Sequence, residues 1–113
     1  VPYLTAVAGK REGSMMLAAL GMEKTPRRAL IGVMGVMQAA LRDAIFRAEG
    51  LREPPLQPAL AKQSEALASA LTPERLLAFY DFTDELVHRI SRNAASAAVT
   101  CALTSDVYRI CYQ

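Results

Sequence analysis

Histidine occurs once in the chain, at His88, and tryptophan not at all. A single histidine denies Glu85-x-x-His88 the second half of the motif that helical di-iron bundles use, and it leaves a Ser/His/Asp arrangement little to draw on. Ser14, Ser64, Ser69, Ser91, Ser96 and Ser105 have no nucleophile-elbow context, and no glycine-rich phosphate loop with a lysine occurs. The two cysteines, Cys101 and Cys111, lack zinc-ligand spacing. Ten residues apart on one predicted helix, they stand ~15 Å apart along its axis, beyond disulfide reach. They read as reduced, packed thiols, which fits a cytoplasmic setting. No basic start followed by an apolar signal core opens the chain, and its first residue is Val1 rather than Met, so it reads as a fragment of something longer. The apolar run Ala29 to Ala40 is too short to span a bilayer and is flanked by Arg27, Arg28 and Arg42, so no transmembrane segment is expected.

What the chain has in quantity is alanine, 20 of 113 residues, within a hydrophobic content of 52%. With only seven aromatics, that balance favours close-packed helices over a sheet sandwich. One domain with a modest core is the default at this length. The net charge of +2 divides into 8 basic and 4 acidic residues through Arg52 against 5 and 7 beyond it. That asymmetry is too weak to mark a nucleic-acid surface.

The longest helical signal runs from Thr25 to Gly50. Leu30, Met34, Met37, Leu41 and Ile45 recur at helical spacing, with Val33, Ala40 and Ala44 widening the stripe enough to call for partners on two sides. Met34 and Met37 read as core gap-fillers. Thr25-Pro26 predicts an N-cap with proline at the first helical position, and Gly50 a stop. Asp43 and Arg47 are expected to pair across one turn of the exposed side. Gly32, Gly35 and Ala39 form a small-residue strip, read as a close crossing by a neighbouring helix or as a kink.

Before this helix, Tyr3 to Ala8 reads as a short helical piece interrupted by Gly9. Glu12 to Leu20 reads as a helix carrying Met15, Met16, Leu17 and Leu20, stopped by Gly21 and folded antiparallel onto the long helix. After it, LREPPLQP is a proline-rich loop, and Ala59 to Leu71 resumes helical spacing with Leu60, Leu67 and Leu71. Thr72-Pro73 repeats the cap signature for a helix to about Arg92, whose buried side is marked by Leu76, Leu77, Phe79, Tyr80, Thr83, Leu86, Val87 and Ile90. Asp81, Glu85, His88 and Arg92 form a solvated charged face, with Glu85 placed to pair with Arg89. Asn93 is a plausible cap for a last helix, Ala94 to about Tyr112, built on Val99, Leu103, Val107, Tyr108 and Ile110.

The succession MLAALGMEKTPRRALIGVMGVMQAALRDAI, EALASALTPERLLAFYDFTDELVHRISRN and AASAAVTCALTSDVYRI resembles the C-terminal domain of the delta-prime subunit of bacterial DNA polymerase III, a clamp-loader subunit. The marks are Glu23-Lys24-x-x-Arg27, the pattern Met37 to Ala44, LTPERLL from Leu71, and Arg92-Asn93, and their order and spacing carry the likeness. The run Ala94-Ala95-Ser96-Ala97-Ala98 departs from the family's pattern.

The resemblance implies an all-α collar domain of about five to six helices, part of a longer AAA+-type subunit, that joins other clamp-loader subunits in a hetero-oligomeric ring. It implies no catalytic residue, cofactor or metal in this domain, no small-molecule substrate, no direct nucleic-acid contact and no membrane. Subunit-facing candidates are Val33, Val36, Tyr80, Arg89, Val107, Tyr108 and Tyr112. An exposed apolar patch is expected on the long helix or on the Tyr108 and Tyr112 side. Alternatives are the collar domain of another clamp-loader subunit, tau/gamma or delta type, and a helical ligand-binding domain of a transcription regulator.

Overall fold

The order of elements follows from where the sequence can start and stop a helix. A computed structural model describes residues 2–21, 25–50, 61–92 and 96–113. Among them α1 spans Pro2–Ala8, α2 Glu12–Leu20, α3 Arg27–Ala48, α4 Ala61–Ala70 and α5 Pro73–Ser91. The last rod, 96–112, is built of α6 (Ser96–Cys101), a π-helical turn (Ala102–Asp106) and α7 (Val107–Tyr112). The architecture is therefore all-α, with six rods and no strand among the described residues. Its Cα radius of gyration, 13.1 Å, is that of a compact chain of this size. The proline-rich loop, Leu60 and the Asn93 cap lie outside the described residues.

The same Thr-Pro signature has two outcomes. At α5, Thr72 is the N-cap, its hydroxyl accepts from the Arg75 amide at 3.3 Å, and Pro73 opens the helix. At α3, Pro26 keeps an extended ψ of 149° and is itself the cap residue, without a side-chain bond, so Thr25 sits one position too early to cap. The other end of α3 behaves as expected: Gly50 takes φ +76°, left-handed backbone that suits glycine, and its amide bonds the Arg47 carbonyl at 3.1 Å. Gly21, by contrast, closes α2 with right-handed φ −61°.

Buried positions on α3 are Leu30, Met34, Met37, Ala40, Leu41, Asp43 and Ala44, and they pack against α4 and α5. Those helices answer with Ser64 and Leu67, and with Leu76, Phe79, Thr83, Leu86 and Ile90. By length and composition α3 is long and apolar enough to cross a membrane, with mean hydropathy 1.5 over an 18-residue window that runs on through charged positions. The core helix of a bundle passes the same test, and this one lies along two neighbours. The expected outward Asp43–Arg47 pair is corrected: Asp43 is buried and its side chain meets Arg42 at 3.4 Å.

Helix α2 does not fold onto α3. Its main neighbours are α1, the π turn and α6. The reason is the narrowness of its buried stripe: among its described side chains Met15 and Ala19 are buried, with Ala18 partly so, while the stripe of α3 is already occupied by α4 and α5. Contacts of α1 with α4 and of α5 with α7 join the two halves into one core.

The two threonines provide a direct test. Thr72→Ala is expected to lower stability by about 1 kcal/mol in urea unfolding, the usual cost of losing a cap bond, and Thr25→Ala to leave the midpoint unchanged.

Candidate interaction surface

A surface that binds another protein has to be built from apolar side chains the fold leaves outside. Among the described residues the large ones are Met16, Leu17 and Leu20 on α2, exposed by 47, 69 and 45%, and Leu77 on α5, exposed by 52%. Met16, Leu17 and Leu20 share one helical face, which Gly13 extends by a turn to complete an i, i+3, i+4, i+7 stripe. The exposed patch thus lies on α2 rather than on α3 or around the C-terminal tyrosines. Leu77, expected inside, is outside because the inward face of that turn of α5 is taken by Leu76 and Phe79, which lie about 100° and about 200° around the helix from it.

The sequence-predicted interface residues separate into different environments. Val33, Val36 and Tyr80 are half-buried, and Arg89 is exposed, bonded to Glu85 at 2.7 Å and 5.6 Å from the Phe82 ring. Val107 is fully buried in the core and offers no surface. Tyr108 and Tyr112 are half-buried with ring centroids 5.6 Å apart, and the Tyr112 hydroxyl donates to the Val7 carbonyl. The Lys10 ammonium stands 5.5 Å over the Tyr112 ring, so this side is largely engaged within the chain. Partial burial, followed by Cys111 and Tyr108, raises the Tyr112 pKa above its ordinary value.

Two grooves accompany these surfaces. One, of about 420 Å³, opens between α1, α2 and α4 and is lined by Thr5, Ala6, Ala8, Gly9, Arg11, Ser14 and Ala66. The other, of about 230 Å³, lies between α3 and α5 and is lined by Arg42, Ile45, Phe46, Leu77 and Tyr80. Arg42 lies over the Phe46 ring at 4.3 Å. Among the described residues nothing lies within 4 Å of a Cβ added at Gly32 or Gly35, so none of the described helices makes the close crossing expected of them.

Asp81, Glu85 and His88 on α5 and Arg92 at its C-cap are all exposed. Among the described residues no group of three or more His, Cys, Asp or Glu side chains is placed to hold a metal ion. The thiols divide: Cys101 is exposed, contrary to expectation, and Cys111 is buried, its pKa pushed up to about 12 by desolvation against a smaller opposing pull from Arg75. Cys101 falls outward because Val99, Ala102 and Leu103 supply the inward face there.

Sequence reasoning missed Ser64, which is fully buried and donates to the Ala40 carbonyl at 3.0 Å, fastening α4 to α3. Its place in the series 64, 67, 71 was the available signal. It also missed Tyr3, whose buried hydroxyl donates to the Leu103 carbonyl at 2.6 Å and whose pKa burial raises well above its ordinary value. Comparison with protein-family models, with curated proteins and with solved structures finds no match.

Thiol titration tests this placement. One cysteine, Cys101, should react with an aromatic disulfide reagent under native conditions, and Cys111 only after denaturation. Because the folded-state pKa of Cys111 lies above its unfolded value of 9.0, its contribution to stability is present below pH 9 and is lost as pH rises toward 12. Cys111→Ser should flatten that alkaline decline in pH-dependent unfolding.

Proposed function

We propose that the chain is a non-catalytic oligomerisation domain of a DNA polymerase III clamp-loader subunit of the delta-prime type, cytoplasmic, holding subunits in the ring that loads a sliding clamp on primed DNA. The reading rests on the resemblance of its ordered motifs and, physically, on one observation: α2 leaves three of its four large apolar residues on the outside. A nine-residue helix that, among its described side chains, buries Met15 and Ala19 and half-buries Ala18 while exposing Met16, Leu17 and Leu20 holds apolar area free for another protein. Scattered single exposed apolar residues carry no such implication, whereas three on one face do.

The all-α architecture is compatible with a collar, in which helices from neighbouring subunits pack together. A helical ligand-binding domain instead calls for an enclosed pocket with converging polar groups. Neither groove supplies one: both are open, and the one between α3 and α5 is lined by apolar side chains and Arg42. In this reading the domain contributes shape and adhesion, and the partners are the other clamp-loader subunits, with no cofactor, substrate or membrane involved.

The test uses full-length protein and the other purified clamp-loader subunits, with assembly followed by light scattering after size exclusion. Met16→Asp combined with Leu17→Asp is expected to weaken assembly by about tenfold or more while leaving the circular dichroism spectrum unchanged. Failure of the unaltered protein to assemble with any clamp-loader subunit would overturn the reading.

A further inference from the structure

Resting on the collar reading, we propose that the groove between α3 and α5 is a second docking face, which receives one large apolar side chain of a neighbouring subunit with a carboxylate beside it. A closed ring of unlike contacts requires each member to present two different patches, one to each neighbour. The α2 stripe is one patch. It sits with α1 and the last rod, whereas the groove is formed by α3 and α5, which pack on each other in the other half of the fold. One neighbour on α2 therefore leaves the groove free for another.

The groove specifies its occupant by shape and by charge. Ile45, Phe46, Leu77 and Tyr80 make it apolar, and its volume of about 230 Å³ suits a single large side chain rather than a helix. Leu77, half exposed, forms a wall that gains from being covered. Arg42 is its sole charged lining residue, with its guanidinium carbon 4.3 Å over the Phe46 ring centroid. Its contact with Asp43 is long, 3.4 Å, and uses one nitrogen of a guanidinium that has five N–H donors. Donors remain for an incoming carboxylate, which would be paired bidentately against an apolar background. On the opposite bank α5 exposes Glu74 and Asp81, at i−3 and i+4 from Leu77. The complementary partner thus carries an acid toward α3 and a base toward α5, a pattern that fixes its orientation as well as its sign. The acidic bank, continued by exposed Asp84, disfavours an anionic lipid surface.

The experiment compares Leu77→Asp, Asp81→Lys and the double α2 variant Met16→Asp/Leu17→Asp in full-length protein mixed with the other purified clamp-loader subunits. Leu77→Asp should weaken assembly by about tenfold or more, and Leu77→Met should restore it. Asp81 is exposed, so Asp81→Lys tests the same face without a folding cost; a severalfold loss with an altered salt dependence is expected. If both α5 variants assemble like the unaltered protein while the α2 variant fails, the groove proposal falls and the collar reading stands. If the unaltered protein assembles with no clamp-loader subunit, the collar reading itself falls. A self-associated form of the protein alone, abolished by Leu77→Asp, would make the occupant a second copy and overturn the proposal.

Discussion

The constraint on which the rest depends is that α3 has one buried stripe and two helices that use it. Leu30, Met34, Met37, Leu41 and Ala44 advance by four, three, four and three residues, which keeps them on one side of the helix. Leu76, Phe79, Thr83, Leu86 and Ile90 on α5 advance by three, four, three and four, and the two series close on each other. Ser64 fastens α4 alongside through the Ala40 carbonyl. Once α4 and α5 are seated, α3 has no inward room left. Helices α1, α2 and the last rod must then reach the core through α4 and α5, and α2, furthest along that chain of contacts, keeps the most apolar surface outside.

This hierarchy explains which features were legible in the sequence. Helix existence and order were readable because each helix has a strong period and clear end signals, as at Thr72-Pro73 and Gly50. Thr25-Pro26 misled by one residue because the caps of the two helices differ in backbone, not in residue type. Asp43 was placed outside by its four-residue spacing to Arg47, whereas its side chain is buried and meets its neighbour Arg42, which lies on Phe46. The face of α2 was the harder problem. Met15, Met16, Leu17 and Leu20 look alike as a set, and only competition for space on the rest of the fold decides that Met15 alone is covered.

The apolar residues left outside are not the ones the sequence pointed to. Those expected on a subunit-facing surface are largely engaged in internal contacts. Tyr112 is tied to the Val7 carbonyl, Tyr108 lies against it, and Val107 is core. Aromatic residues near a chain end attract attention as interface anchors, yet here the Tyr112 hydroxyl anchors the last rod to α1. Tyr3 does the same from the other direction through the Leu103 carbonyl.

That carbonyl belongs to the π turn, whose role is one of phase. Among the described residues, the large buried side chains of the last rod, Val99, Leu103, Val107 and Cys111, recur every four positions, with the small Ala102 buried beside Leu103. In an ideal α-helix each such step would drift by about 40° around the axis, carrying Cys111 well off the line set by Val99. The wider turn at 102–106, with the Val107 amide reaching back to the Ala102 carbonyl, absorbs part of that drift. The turn is thus a vernier between two incompatible pitches. It lets a sequence of period four lie against neighbours of period three and a half.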